Sequence, residues 1–297
     1  MKILNFGSLN IDMVYDVEHI VSPGETIQSL NMEIFAGGKG LNQSIALARA
    51  GGNVFHAGLI GDDGEMLKNI LAENNVNLEY LKTANGKTGH AIIQVDKSGE
   101  NCILLFSGAN HQISTDFAHE VLKDFSKDDI LVLQNEISNL PYIVKTAAKK
   151  GMKIILNPSP FNEVIEDIDL NDIYCLILNE IEAECISGGS IDGFENWAKN
   201  NYPDLKIMLT LGKKGAKFIS RDLTAEHPIF PVKTVDTTAA GDTFTGYFVV
   251  GISENKPIED ILKYAAAASA LAVSKKGAAP SIPEFKAVEE FLKKIKE

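Results

Sequence analysis

The residues best placed to do chemistry lie in the segment DTTAAGDTF, residues 236–244. It follows an extended stretch, Pro231–Val235, and its spacing predicts the start of a helix. The small residues Ala239, Ala240 and Gly241 let the backbone come close to a ligand. Unpaired N–H groups at a helix start, aided by the helix dipole, suit phosphate oxygens. Asp242, in the first turn, would repel a resting anion there, so its useful role is to take a proton from an attacking hydroxyl. A helix-capping aspartate after a glycine turn accounts for the same letters.

Four other segments carry similar double readings. GGKGLNQ, residues 37–43, enters a helix; Gly38 and its neighbouring glycines allow close approach, and Asn42 offers an amide to a polyol or caps the helix. GSLNID, residues 7–12, follows the first strand, where ligands of open parallel sheets bind. Asn10 and Asp12 share one side of that piece if it is extended, and Asp12 can accept two hydroxyls; an ordinary polar turn is the plain alternative. Asn179 and Glu182 stand three apart at a helix entry, as a hydrated Mg²⁺ site or a capping box. TLGKKG, residues 210–215, offers Thr210, Gly212, Gly215 and two lysines to a nucleotide, or forms a cationic turn. In KKGAAPS, residues 275–281, Gly277 ends a long helix and Pro280 prevents its continuation.

These segments need a frame. Short β-branched runs at Ile3–Phe6, Val54–Ile60, Ile130–Leu133, Lys153–Leu156, Tyr174–Leu178, Ile207–Leu211 and Lys217–Ser220 read as strands. Several are apolar at consecutive positions, as in parallel strands covered on both faces. Helical patterns fall at Lys39–Ala50, Glu65–Asn74, Thr115–Asp124, Asn139–Lys150, Asp192–Asn201, Ala240–Val250, Pro257–Ser274 and Pro283–Lys296. The alternation predicts an α/β fold, a doubly wound, mostly parallel sheet flanked by helices. Residues 12–35 and 88–107 break the rhythm. They read as a small β-strand lid on a single domain spanning 1–297, the second piece a hairpin turning at Gly99.

The chain has 297 residues, 45% hydrophobic and 23% charged, which excludes wholesale disorder and gives core enough to fold without disulfides. The 28 basic against 40 acidic residues leave a net charge of −12, so neither nucleic acid nor an anionic membrane is an expected partner. Cys102, Cys175 and Cys185 are widely spaced and read as reduced thiols of a cytoplasmic protein. The N-terminal apolar stretch is too short for a signal peptide, and the run Tyr264–Val273 is too short for a membrane span. Gly86-Lys87-Thr88 lacks the first glycine of a P-loop, and no G-x-G-x-x-G follows the first strand, which disfavours a nicotinamide enzyme. Asp167, Asp169 and Asn171 open like an EF-hand loop, but Asp172 stands where glycine is needed, so an acidic turn is expected.

Taken in order, these segments make the whole chain resemble the ribokinase family of the phosphofructokinase-B superfamily. SPGET at 22–26, IGDDG at 60–64, LQNE at 133–136 and LNPSP at 156–160 complete the resemblance. It implies an ATP:sugar phosphotransferase that makes a pentose 5-phosphate, ribose being the expected acceptor. Asp242 matches the catalytic base, and the backbone of Ala239, Ala240 and Gly241 the anion hole. Asn10, Asp12, Gly38, Asn42 and Glu136 match sugar-binding positions. Asn179, Thr210, Gly212 and Gly215 match ATP contacts, and Glu182 a position linked to Mg²⁺ and phosphate. Asp236, Thr238, Ala272, Lys275, Gly277 and Ser281 match the loops that hold a monovalent cation, usually K⁺, largely through backbone carbonyls. Ala265 and Ala266 stand where related enzymes place a larger residue against the adenine. The resemblance also implies a homodimer clasped through the lid, with Ala91 and Ile93 facing the sugar and His90 turned away. Alternatives are a kinase for deoxyribose, another sugar or a nucleoside, or a non-catalytic sugar-sensing protein on the same fold.

Overall fold

The computed structural model describes residues 1–296. Its strands are β1 (Ile3–Phe6), β2 (Asn10–Asp16), β3 (Asn31–Gly37), β4 (Val54–Ile60), β5 (Asn77–Thr83), β6 (Gly89–Val95), β7 (Asn101–Phe106), β8 (Ile130–Gln134), β9 (Lys153–Asn157), β10 (Cys175–Asn179), β11 (Lys206–Thr210), β12 (Ala216–Ile219) and β13 (Thr224–His227). Its helices are α1 (Lys39–Arg49), α2 (Glu65–Glu73), α3 (Thr115–Leu122), α4 (Leu140–Lys149), α5 (Glu180–Ser187), α6 (Ile191–Asn201), α7 (Ala240–Ser253), α8 (Ile258–Val273) and α9 (Phe285–Lys296).

Nine strands form the main sheet in the order β13-β12-β11-β10-β9-β8-β1-β4-β5. From β11 to β5 the pairing is parallel, and only β12 and β13 join antiparallel. The central strands ILNF, ILVLQ and CLILN are buried almost throughout, as expected for a sheet with apolar cover on both faces. One core layer lies under α1, α7 and α8, and the other under α3 and α4. The doubly wound reading holds. Two edge strands escape it: β5 (NLEYLKT) and β13 (TAEH) are polar and partly exposed, so neither shows the apolar run that marks a central strand.

The irregular stretches form a separate four-stranded sheet, β3-β2-β6-β7. β2 pairs antiparallel with β3 and parallel with β6, and β6 turns into β7 at Asp96–Gly99, the hairpin expected from the sequence. Its root is tied to the main body. Thr88 donates its N–H to Asp63 Oδ1 at 2.9 Å, and Lys87 Nζ lies 3.1 Å from Asp63 Oδ2. Burial works against the Asp63 charge, but these bonds outweigh it and bring its carboxyl down to about 2.

Close helix packing sets up the site. A Cβ on Gly246 of α7 would lie 2.4 Å from Ala46 Cβ of α1. Only a glycine against an alanine lets the two axes come this near. Each lies four residues beyond the residue that matters: Gly246 beyond Asp242, and Ala46 beyond Asn42. One turn of each helix therefore sets its N-terminus against the other's.

Candidate active site

Asn10 and Asp12 leave β2 on the same face. Register places Ala91 beside Asp12 and Ile93 beside Val14, so both apolar residues share Asp12's face. His90 is on the opposite face, its ring 4.9 Å from that of Phe106. Asp12 needs the room Gly37 gives, because a Cβ there would come 2.0 Å from Asp12 Oδ2. Burial raises the Asp12 carboxyl to about 6, Glu136 adds to the rise, and Lys39 opposes it. Asn110 fixes Asn10: it donates to Asn10 Oδ1 at 2.8 Å and bonds both polar groups of the Leu9 backbone, leaving Asn10 Nδ2 for other partners.

Glu136 follows β8. It accepts from Ser8 Oγ and, at 3.1 Å, from the Lys39 N–H, and its Oε1 lies 3.6 Å from Lys39 Nζ. Burial alone would depress the Lys39 ammonium, but Glu136, Asp242 and Glu182 together hold it above its ordinary value. Lys39 thus joins Glu136, after β8, to Asp242 and Glu182 at the helix starts. Sequence reading quoted this lysine within GGKG but gave it no role; one cation among three close glycines was the available signal.

Asp242 accepts from Asn42 Nδ2 at 3.1 Å and from Gln43 Nε2 at 3.0 Å. Asn42 therefore does not cap its own helix. Its Oδ1 is buried without a partner. Burial pushes the Asp242 carboxyl above its ordinary value, while Lys39 and the two amides offset part of the rise. Ala239, ahead of α7, has a φ of 58°, a left-handed conformation that costs an alanine about 1 kcal/mol. Such strain clusters at functional turns. The Ala240 N–H is already given to Thr237 O at 3.2 Å. Among the described residues, the amides of Ala239, Gly241 and Asp242 have no protein acceptor. The free donor set thus differs from the expected 239–241 by losing Ala240 and gaining Asp242.

A cleft of ≈ 230 Å³ opens beside this turn. Ala239, Gly241, Asp242, Asn179, Glu182 and Thr210 line it, as does Lys39. Asn179 and Glu182 form a reciprocal capping box, 2.9 Å in each direction, so the capping reading is correct and both residues still face the cleft. The bond uses Glu182 Oε2, which leaves Oε1 without a hydrogen-bond partner among the described residues. Gly212 and Gly215 do not line it. A Cβ on Gly215 would come 2.1 Å from the His227 carbonyl, so this glycine serves the packing of the β11–β12 turn. Ala265 is fully buried in the core, and neither it nor Ala266 borders the cleft. The helical period turns Ala265 inward.

Two loops meet beside α7. Asp236 Oδ1 accepts from the Thr238 N–H and Oγ1 at 2.9 and 2.7 Å, and Oδ2 from the Gly277 N–H at 2.8 Å. Burial opposes the Asp236 charge, but these bonds and Lys276 hold its carboxyl below the ordinary range. Val273 O takes the amides of Val235 and Asp236. Lys275 N–H bonds the Ala272 carbonyl, and buried Ser281 gives its Oγ–H to Ala278 O. The six residues thus lie on two stitched segments rich in oxygen donors, a set that fits a hard monovalent cation.

A carboxylate held by two amides, free N–H groups at a helix start and a cleft beside them form a phosphoryl-transfer arrangement. The family model for the pfkB family carbohydrate kinases matches residues 1–284. The chain belongs to this family. It is therefore a phosphotransferase with an alcohol acceptor. A ribokinase of Haemophilus influenzae is 38% identical, over 96% of each chain. A ribokinase structure from Thermotoga maritima has a TM-score of 0.88 at 33% identity, covering 98% of this chain and 99% of that one. The Arabidopsis thaliana ribokinase complexed with ribose and ATP has a TM-score of 0.89 at 31% identity, covering 98% of each chain. No described helix is long and apolar enough to cross a membrane.

Proposed function

We propose that this chain is an ATP-dependent ribose kinase forming ribose 5-phosphate and ADP. The observation that carries the proposal is Asp242, held by Asn42 and Gln43 at the edge of the cleft that the free amides of Ala239 and Gly241 face. Asp12, Asn10 and Asn42 bind the sugar hydroxyls, with Gly38 and Glu136 shaping the same wall. The primary hydroxyl gives its proton to an Asp242 oxygen. Its oxygen bonds the γ-phosphorus as the bond to the ADP oxygen breaks. The amides of Ala239, Gly241 and Asp242, with Lys39, offset charge on the transferring group. Asn179 and Thr210 contact the nucleotide. Mg²⁺ on the nucleotide, oriented by Glu182, supplies further neutralisation of phosphate charge. The whole chain acts as one domain, its β3-β2-β6-β7 sheet the lid. Three free cysteines support a cytoplasmic setting. ADP release from MgATP across ribose, 2-deoxyribose, fructose and nucleosides tests the proposal; ribose gives the highest kcat/KM, and a preference for another acceptor overturns the ribose assignment.

The loops around Asp236 support K⁺ as an activator. Turnover rises with added K⁺, and Asp236→Ala removes that response, since the charged donor that orders both segments is gone. An undiminished response in the variant contradicts the placement.

The lid supports a homodimer. Strand β7 is an edge strand with all six residues exposed, among them Ile103, Leu104, Leu105 and Phe106, each at least half exposed. Such an edge is an aggregation hazard unless covered. Sedimentation is expected to give a dimer for the wild type and a shift to monomer for Leu104→Asp. A dimer of unchanged strength in that variant excludes β7 from the interface.

A further inference from the structure

Beneath the site lies a layer of polar side chains, none of which lines the cleft. Asn5, Gln43, Ser44, His56 and Gln134 are all fully buried between the sheet and α1. Gly40 makes the layer possible, since a Cβ there would come 2.3 Å from Ser8 N. The bonds run in one direction. Asn5 Nδ2 donates to Gly40 O at 2.7 Å and to Ser44 Oγ at 2.8 Å. Ser44 Oγ is 2.8 Å from His56 Nδ1. Burial, opposed only by a contact with the Gly7 backbone, depresses His56 to about 3, so its ring is neutral. Gln134 Nε2 donates to Asn5 Oδ1 at 2.9 Å and to Gln43 Oε1 at 2.7 Å. Gln43 Nε2 then donates to Asp242 Oδ1 at 3.0 Å.

We propose that Gln43 is a positioning residue for Asp242, its amide locked in one orientation by Gln134 and Asn5. This rests on the kinase reading of Asp242. An amide can present either end, and only its NH₂ end supports a carboxylate. A backbone carbonyl can only accept, so Gly40 O fixes which end of Asn5 is NH₂. Asn5 Oδ1 then requires the NH₂ of Gln134, that group requires Gln43 Oε1, and Gln43 must turn its NH₂ to Asp242. Reversing any link sets acceptor against acceptor in a buried layer, which is expensive. The base is thus aimed by polarity that starts at a main-chain carbonyl. The charged groups facing Asp242 are Lys39 from α1 and Glu136 after β8; Asp12 of β2 and Glu182 of α5 act on that pair.

The near-isosteric Gln43→Met removes the donor. It lowers kcat by about 10- to 100-fold, the scale of one bond to a charged group. KM for sugar and MgATP stays within about twofold, and the acid limb of kcat moves to higher pH. Gln134→Met, which touches neither Asp242 nor the cleft, moves both readouts the same way by less. Unchanged kcat and acid limb in Gln43→Met overturn the proposal. So does a loss shared equally by kcat, both KM values and thermal stability, which marks a purely structural role. The wild type supplies a test independent of turnover. The side-chain ¹⁵N resonance of Gln43 follows the Asp242 titration and loses that step in Asp242→Asn; a resonance without a pH-dependent step anywhere in the range where the protein stays folded overturns the proposal. A wild type with that step but no turnover on any sugar retires the kinase reading and leaves the hydrogen-bonded pair intact.

Discussion

Asp242→Asn loses turnover by at least ~10²-fold, the scale on which a general base contributes, while sugar binding survives. The carboxylate is the acceptor for the hydroxyl proton, and an amide in its place cannot take one. The substitution also disturbs the support. Asn42 and Gln43 both present NH₂ groups to Asp242, so one of them must face the new NH₂. That conflict sits at the reacting end, away from Asp12 and Asn10, the residues proposed to bind the sugar. Steady-state kcat and calorimetric titration of the sugar separate the two effects. Turnover near the wild-type value contradicts the assignment of Asp242, and loss of sugar binding places Asp242 among the recognition residues.

Asp12→Asn moves affinity and stability in opposite directions. In the proposed role the ionised Asp12 accepts sugar hydroxyls through charge-assisted bonds, so removing the charge is expected to weaken sugar binding by about 10²-fold, the scale of one or two such bonds. In the wild type, binding also weakens below about pH 6, as Asp12 protonates. The stability effect follows from the same shift. The folded carboxyl titrates at about 6 against 3.8 for the ordinary group, so the folded state holds the proton more tightly than the unfolded one. Stability is therefore favoured at low pH, declines as pH rises from about 4 to about 6, and carries the full cost above that. The asparagine variant escapes this cost, on the order of 1–3 kcal/mol. Its Tm exceeds the wild-type value at pH 8, and the two converge at pH 4. A lower Tm at pH 8 with sugar affinity retained contradicts both halves of the argument.

Much of this arrangement is legible in the letters because its elements follow local rules. Consecutive apolar runs mark β1, β8 and β10, and the Asn179–Glu182 spacing marks the start of α5. Asp242 announces itself as a carboxylate one residue after a tight small-residue turn. What escapes is set by distance in sequence. Gln134 reads as the last letter of a buried strand, and its meaning comes from Gln43, 91 residues earlier. Asn110 acts through Leu9 and Asn10, about 100 residues away. Gly215 has the glycine expected of a phosphate loop, but its reason is the His227 carbonyl against it. Lys39 needed the positions of Glu136 and Asp242 before its charge had a purpose. Periodicity and turn chemistry carry over from the sequence, whereas side-chain pairing across the sheet becomes visible only once the strands are in register.

The measurement that bears most directly on the central claim is ³¹P NMR of wild-type protein with ribose, MgATP and K⁺. The account predicts one new phosphomonoester, on the primary hydroxyl of ribose, growing in step with ADP and absent when Asp242→Asn replaces the wild type. Phosphate appearing at another hydroxyl, or only as free inorganic phosphate, would contradict it.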